Sequence, residues 1–540
     1  MRPRNLDQIA GTTYDVLVVG GGIHGLAVAY EAASRGLRSA LIEAADYGSG
    51  ASFNHQRTAH GGLRALQSGR LDRARRGIIE RRTLARIAPW LLRPLPFLVG
   101  TYRSFTRNRL ALRGAFKIDE WLSRRRNHGV EPELHLPPPR LISKAATLRL
   151  FPGIRQEGLT GAAQWYDYQM VEPDRLTFAF AAAADRAGAD LANYVEAVEG
   201  LKEAGRIVGM RCRDRLTDRS FEIRAQATVN AAGASGGRIM DAFGVKRDWP
   251  LLKAMNLVTS KRASDIALAA AAPSRRMLTL VPWHGRALIG TSQSRAFVQP
   301  DALTVSAAEV QTFIDEANAA FPALKLSRTD VTLVHRGAVP AIAGRNGQPD
   351  LKPEPEIVNH ASEGAAGAFT IVGVKYTTAR AVAERAVTTI ARHLGTRISA
   401  SRTASTTLPG AGIADHEALA IEAGRDLGLD VPLPSIRHLI AKYAEAAAGI
   451  IKLTADRPEL RDTLSATVPT LAGEVVHTIR HEHACHLSDV VIRRTGMGAM
   501  DEPDGQALRA AAEVAANELG WSQTQVDAEI EIVRRFYRID

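Results

Sequence analysis

The sequence predicts an α/β fold in which a Rossmann-like domain is interleaved with an inserted α+β domain and followed by an all-helical cap. Three observations lead to this prediction. The chain opens with a strand, a glycine-rich loop, a helix and a second strand; strand-like segments then return only near Ala162; and from about Pro409 the pattern is helical. A length of 540 residues is enough for two or three domains.

The first element is a βαβ unit with the spacing of a dinucleotide-binding site. Tyr14–Val19 is a short apolar strand, Gly20–Gly25 has the form GxGxxG, Leu26–Arg35 is an alanine-rich helix, and Ser39–Glu43 is a second strand. The glycines allow close approach to a pyrophosphate at the helix N-terminus, and the acid accepts hydrogen bonds from a ribose. The alternative is a glycine-rich turn in another α/β unit. The predicted cofactor contacts are Gly20, Gly22, Gly25 and Glu43.

This motif alone permits NAD or FAD, and the order of the later elements favours FAD. An NAD dehydrogenase would continue as alternating strands and helices. Here the next residues are basic, irregular and helical, and strands return at Ala162–Trp165 and Tyr194–Glu199, then as a β-meander over Ile207–Arg213 and Ser220–Ile223. An inserted substrate domain of this kind is typical of a two-domain flavoprotein.

Two later segments run from a strand into a turn of small residues, at Ala227–Gly236 and Phe369–Arg380. The second predicts amides and a helix N-terminus beside the flavin pyrimidine ring, where negative charge collects on reduction. Its alternative is an ordinary βα corner. The predicted cofactor contacts here are Ala232, Gly233, Gly373, Thr377 and Thr378.

The predicted domains are an oxidoreductase core over residues 1–405 and a helical domain over 406–540. Within the core, the discontinuous FAD-binding part covers roughly 12–90, 160–245 and 335–405. In the helical domain, Gly473–Arg494 is predicted as one long helix, with two more at Gln506–Gly520 and Ser522–Tyr537.

Composition excludes several classes of protein. A chain with 45% apolar residues can bury a core, which argues against disorder, and two cysteines cannot form a disulfide framework. No apolar run follows the basic start at Met1, so we expect a cytoplasmic protein without a signal peptide. Cys485 and His481 have the spacing of metal ligands on a helix, but no second ligand cluster exists, and we predict no metal site.

The net charge of +12 comes from one segment. Residues 51–130 hold 18 Lys and Arg against 4 Asp and Glu, a local balance of +14. Its later arginines, Arg103 to Arg126, predict either a solvated face or a surface that meets anionic lipid, peripherally at the inner face of the plasma membrane. RNA binding is a weaker hypothesis, because few aromatic residues are interleaved, and we expect no nucleic-acid partner.

Together, the motifs resemble those of the FAD-dependent glycerol-3-phosphate dehydrogenase family, within the D-amino-acid-oxidase-like flavoproteins. The resemblance covers nearly the whole chain. Its most specific part is His60–Arg64, which reads His-Gly-Gly-Leu-Arg, and further matches are Val229–Gly233, Pro282–Thr291 and Gly373–Thr378. It implies bound FAD, oxidation of glycerol 3-phosphate to dihydroxyacetone phosphate by hydride transfer to flavin N5, a quinone acceptor, and a homodimer.

The chain departs from this family where substrate is held. The family's Ser-Ser-Lys-Leu-Ile is replaced by His55–Ala59, and the Tyr after the signature arginine is Ala65. The family's phosphate-binding arginine aligns with Val339, and no arginine lies between Arg345 and Arg380. The alternative function is therefore a flavin oxidase of an amine, amino acid or other hydroxy acid that uses oxygen.

The resemblance assigns roles to individual residues. His60 is the predicted base, with packing against the flavin as its alternative role, and Arg64 binds the substrate anion or forms a structural salt bridge. Lys375 holds substrate or flavin. His335 and Arg336 form a second candidate pair for substrate contact. The remaining predicted cofactor contacts are Ser52, Gly61 and Gly62.

Overall fold

The computed structural model describes residues 1–62, 70–102, 109–344, 347–410, 418, 422 and 431–540, with only the backbone at 109–112. The strands are β1 (Thr13–Val19), β2 (Ser39–Ile42), β3 (Thr58–Ala59), β4 (Leu92–Tyr102), β5 (Arg140–Ser143), β6 (Leu159–Met170), β7 (Asp190–Ala192), β8 (Val195–Glu203), β9 (Arg206–Asp214), β10 (Ser220–Asn230), β11 (Leu251–Arg262), β12 (Ala267–Ala271), β13 (Met277–Trp283), β14 (Arg286–Gln293), β15 (Val331–Ala343), β16 (Pro349–Leu351), β17 (Glu356–Asn359) and β18 (Ala368–Val372).

The helices are α1 (Leu6–Ala10), α2 (Ile23–Ser34), α3 (Leu71–Ile87), α4 (Arg109–Leu122), α5 (Lys144–Leu150), α6 (Pro173–Arg186), α7 (Gly236–Ala242), α8 (Ala307–Ala320), α9 (Ala379–Leu394), α10 (Leu433–Tyr443), α11 (Ala447–Asp456), α12 (Ala472–Glu482), α13 (Gly505–Leu519) and α14 (Gln523–Tyr537). No helix in the part of the chain that the structure describes is long and apolar enough to cross a membrane.

The first sheet has the order β17-β18-β10-β1-β2-β7, and the β8–β9 hairpin extends it from β10. Strands β18, β10, β1, β2 and β7 run parallel, as expected where helices cover a sheet. Helices α2, α6 and α9 pack together over it, and their many buried alanines allow close packing. The predicted strand–loop–helix–strand start is confirmed.

The second sheet has the order β16-β15-β11-β14-β13-β12-β4-β6-β3, with β5 beside β6, and all its pairs are antiparallel except β12–β4. Strand β4 lies inside the stretch predicted to be irregular and helical, so that prediction is wrong here. Strand β4 is hard to predict because it contains Pro94 and Pro96, and proline is rare inside strands. The parallel pairing with β12 covers only Phe97–Val99, so both prolines lie where β6 is the paired neighbour.

The C-terminal part is helical, as predicted, but the prediction of one long helix over Gly473–Arg494 is wrong. Helix α12 ends at Glu482, and His483 takes a left-handed conformation with φ of 57°. A second, π-helical turn follows over Asp489–Arg494, and the Asp489 carboxylate accepts hydrogen bonds from the amides of Cys485 and His486. This side chain fixes the new turn, which helical periodicity alone does not reveal.

Candidate active site

Four neighbouring parallel strands end at one edge of the first sheet, and a predicted cofactor segment follows each of them. Glu43 follows β2, the glycine loop follows β1, Ala231–Gly233 follows β10, and Gly373 follows β18. Ligands of open α/β sheets bind outside the carboxyl ends of the strands, and here segments far apart in sequence meet at that edge.

The glycine loop is packed too closely for side chains. Gly20 has φ of +113°, and a Cβ there would lie 2.7 Å from the backbone of Ala231 and Ala232. A Cβ on Gly25 would lie 1.8 Å from the Gly20 carbonyl oxygen. Glu43 is buried beside the loop, where burial raises the pKa of its carboxyl, and it accepts hydrogen bonds from the Gly21 amide and the Ala45 amide.

The N-terminus of α2 has the form of a phosphate site. Its N-cap residue Gly22 provides no side-chain cap, and the Ile23 amide donates instead to the Ser52 hydroxyl at 2.9 Å. The amides that begin a helix attract anions. These residues fit FAD: Gly20–Gly25 and Ser52 would hold its pyrophosphate, and Glu43 its ribose.

His24 joins the glycine loop to the Gly373 segment. A Cβ on Gly373 would lie 2.4 Å from the His24 ring, so only glycine lets the two loops approach. Burial lowers the pKa of His24 to about 4, and its Nε2 has no hydrogen-bond partner among the described residues. His24 is therefore a neutral, buried side chain that packs between the two loops.

His60 lies just after β3 and is paired with Asp167 on β6. His60 Nδ1 is 3.2 Å from one oxygen of Asp167, and the other oxygen accepts from the Gly61 amide at 2.7 Å and from the Arg81 guanidinium. Burial raises the pKa of Asp167, but Arg81 and the hydrogen bond from His60 outweigh it, so the net pKa is lowered. The His60 side chain is 49% exposed, so a solute can reach it.

The turn that follows His60 is built from two glycines, Gly61 and Gly62, because a side chain at either position would be strained or too close to its neighbours. A Cβ on Gly61 would lie 2.4 Å from the Arg81 guanidinium, and Gly62 has φ of +89°. Sequence reasoning missed Asp167 as a functional residue and missed Arg81 altogether. An aspartate within an aromatic strand, Trp165-Tyr166-Asp167-Tyr168, is the signal that could have found the first.

A second cluster surrounds Arg57, whose side chain is fully buried. Arg57 donates to the Phe53 carbonyl at 2.6 Å, lies 3.2 Å from His335 Nε2, and stacks between the Phe53 and Trp283 rings. Asp174 is 3.8 Å away; burial raises its pKa to about 6 against the opposing effect of Arg57.

The structure places the remaining predicted residues as follows. His335 belongs to the Arg57 cluster and is fully buried. Arg336, its neighbour on β15, donates to the Phe536 carbonyl in α14, so it contacts the helical domain. Lys375 is exposed, Thr377 is buried and Thr378 half-buried, all at the start of α9. Arg64 lies outside the described residues.

The fold and site define a flavoprotein oxidoreductase, and the comparisons with known proteins agree. A family profile described as FAD dependent oxidoreductase matches residues 15–389, and one described as C-terminal domain of alpha-glycerophosphate oxidase matches residues 401–526. A glycerol-3-phosphate dehydrogenase of Synechocystis sp. is 30% identical over 98% of this chain and 97% of its own length. The chain therefore belongs to the FAD-dependent glycerol-3-phosphate dehydrogenase family.

Two further comparisons agree. Glycerol-3-phosphate dehydrogenase 2 of Mycobacterium tuberculosis is 29% identical, over 96% of this chain and 87% of its own length. A crystal structure of the glycerol-3-phosphate dehydrogenase from Bacillus halodurans complexed with FAD superposes with a TM-score of 0.76 and 23% identity, over 98% of this chain and 95% of that one. The second likeness concerns the fold.

Proposed function

We propose that this protein oxidises glycerol 3-phosphate, or a related small hydroxylated anion, to the ketone, and passes the electrons to a quinone. Oxidation removes a proton from the substrate hydroxyl and a hydride from the carbon that bears it, so the C–O bond becomes a carbonyl. When bound, FAD supplies the hydride acceptor at its N5 atom. The His60–Asp167 pair is the observation that carries the proposal, together with the family membership.

His60 takes the hydroxyl proton. Because Asp167 accepts from Nδ1, Nε2 is the nitrogen left for the substrate hydroxyl. Asp167 is fixed in turn by Arg81 and by the Gly61 amide, so the imidazole is held in one orientation. A positioned base of this kind contributes about 100- to 10,000-fold to a rate.

The substrate anion is held by Arg64 and Lys375 in this proposal. Lys375 is exposed at the N-terminal end of α9, where a cation can meet an anion from solvent. Val339 on β15 stands where the family places an arginine, and this observation favours the second candidate function, an oxidase of an amine, amino acid or other hydroxy acid that uses oxygen.

Anaerobic stopped-flow reduction of the bound flavin tests the proposal. Glycerol 3-phosphate should bleach the flavin, whereas amino acids and amines should leave it oxidised. The variant H60N should retain FAD but slow bleaching about 100-fold. Bleaching by amines instead would overturn the first function, and faster reoxidation by oxygen than by a quinone analogue would favour an oxidase.

We also propose that the protein docks peripherally on anionic lipid at the cytoplasmic face of the plasma membrane. Helix α3 reaches the segment that follows α4, since Arg82 donates to the Arg125 carbonyl just beyond α4. Both helices expose large apolar side chains among arginines, and Trp121 is 66% exposed. Aromatic residues suit the interface, and each basic residue adds about 1 kcal/mol at an anionic surface.

Flotation with vesicles that contain anionic phosphatidylglycerol tests this docking. W121E should weaken binding, whereas L216E, which changes an exposed leucine in the turn between β9 and β10, should not. Binding should fall with added salt. Equal loss in both variants, or equal binding to neutral vesicles, would contradict the proposal.

We further propose a homodimer, which sedimentation velocity would detect.

A further inference from the structure

We infer that the C-terminal helical domain sets the affinity for FAD, because it holds the segment that closes over the dinucleotide-binding glycines. This cover segment, residues 44–53, follows Glu43 directly. The cover segment contacts the glycine loop on one side and the helical domain on the other. A change in the helical domain can therefore alter the glycine loop.

The contacts with the glycine loop are close. The Gly48 amide donates to the Gly21 carbonyl at 3.0 Å. The Tyr47 ring packs against Gly21, where a Cβ would lie 2.9 Å from Cδ1 of the tyrosine. The Ser52 hydroxyl accepts from the Ile23 amide, the first of α2. The cover segment therefore determines the shape of the site that receives the pyrophosphate.

The contacts with the helical domain are buried and charged. Asp46 accepts from both terminal nitrogens of Arg494, at 2.9 and 2.7 Å, and from Arg493 Nε at 2.6 Å. The Tyr47 hydroxyl lies 3.2 Å from His483 Nδ1, and the Phe53 and Phe536 ring centroids are 5.8 Å apart.

The position of the cover segment depends on these arginines for an electrostatic reason. The Asp46 side chain is fully buried, and a buried carboxylate is tolerated only when it is paired and hydrogen-bonded. Without the Arg494 fork, Asp46 would keep only Arg493, which bonds one of its two oxygens, and the shift of Asp46 would move Tyr47 and Gly48. Gly21 would then lose its contacts with Tyr47 and Gly48 and keep those with Glu43, and the site would no longer be fully formed before FAD binds.

The experiment compares R494Q with R175Q by titrating FAD into the apoprotein and following flavin fluorescence. Arg175 joins the core to the same domain through a buried bidentate pair with Glu482, with both bonds at 2.7 Å. Its third hydrogen bond goes to the Lys442 carbonyl rather than to the cover segment. It is therefore a matched control for interface stability.

R494Q should raise the Kd for FAD about tenfold, a typical coupling between sites, and speed FAD release. R175Q should lower the thermal midpoint of the apoprotein about as much as R494Q does. It should change the Kd for FAD less than about twofold. In the double variant D46N/R494Q, the effects on Kd should be less than additive, because both changes break one contact.

An unchanged Kd in R494Q, or an equal rise in R175Q, would overturn the inference. If R494Q does not fold, R494K keeps the charge and loses the fork, and Y47F loses only the contact with His483. Each should then raise the Kd by a smaller factor than tenfold. A folded R494K with unchanged FAD affinity would refute the role of the fork.

Discussion

The substitution D167N removes the group that orients His60 and leaves the rest of the site in place. The Asp167 carboxylate accepts from His60, Gly61, Arg81 and the Trp165 indole. All four partners are donors, so the new amide nitrogen must face at least one donor. We expect a folded protein that binds FAD but oxidises substrate slowly.

The stability cost of D167N follows from the burial of the Arg81–Asp167 pair. The Arg81 side chain is 8% exposed, and its partner carboxylate 4%, so the charge pair is buried. Removing one partner of a buried pair costs about 3–5 kcal/mol. Arg81 retains a hydrogen bond to the Tyr166 carbonyl at 2.9 Å, which places the expected loss in free energy of unfolding at the lower end, about 3 kcal/mol. The loss of orientation should lower kcat about 100-fold.

Single-turnover flavin reduction at saturating substrate measures the rate, and urea melts measure the stability. W165F is the control, since it loses only the indole donor, at 3.3 Å from the same carboxylate. It should keep kcat within about threefold, because one neutral hydrogen bond contributes roughly 1 kcal/mol. A D167N protein with full FAD content and a kcat near that of the parent would refute the role of Asp167.

Two further predictions concern the cofactor edge. G25A should abolish FAD binding, because its Cβ would lie 1.8 Å from the Gly20 carbonyl oxygen, whereas G50A, with no atom within 4 Å of its Cβ, should retain a stoichiometric flavin absorbance. H24Q should flatten the pH dependence of stability between pH 6.5 and 4. His24 has a pKa of about 4 when folded and about 6.5 when unfolded, so its contribution of about 3 kcal/mol is complete above pH 6.5 and is lost as the pH falls through 4; urea melts at several pH values would show this.

The cofactor edge was predictable because each of its parts has a local signal. Glycines mark the turns after β1 and β18, and Glu43 ends a strand at the spacing that a ribose requires. The family resemblance also gave His60. Its partner was harder to find, since Asp167 lies more than a hundred residues away, and no periodicity indicates which side chains two sheet strands bring together.

Two errors have physical causes that a single sequence conceals. Strand β4 contains two prolines, which are rare inside strands, and both lie outside the stretch Phe97–Val99 that pairs with β12. Helix α12 stops at Glu482 although the helical pattern continues. The new turn depends on Asp489, which caps the amides three and four residues before it; this is a local side-chain contact that hydrophobic periodicity does not register.

The basic segment shows why a charge count cannot assign function. Arg57 and Arg81 lie in the interior, and each needs compensation: Arg81 has a carboxylate, whereas Arg57 has two aromatic faces, a carbonyl and a carboxylate at 3.8 Å. Arg75 and Arg125 are exposed. The interior arginines have partners inside the protein, so a membrane that bound this segment would meet only its exposed arginines. The salt dependence of vesicle binding would therefore report on the surface arginines alone.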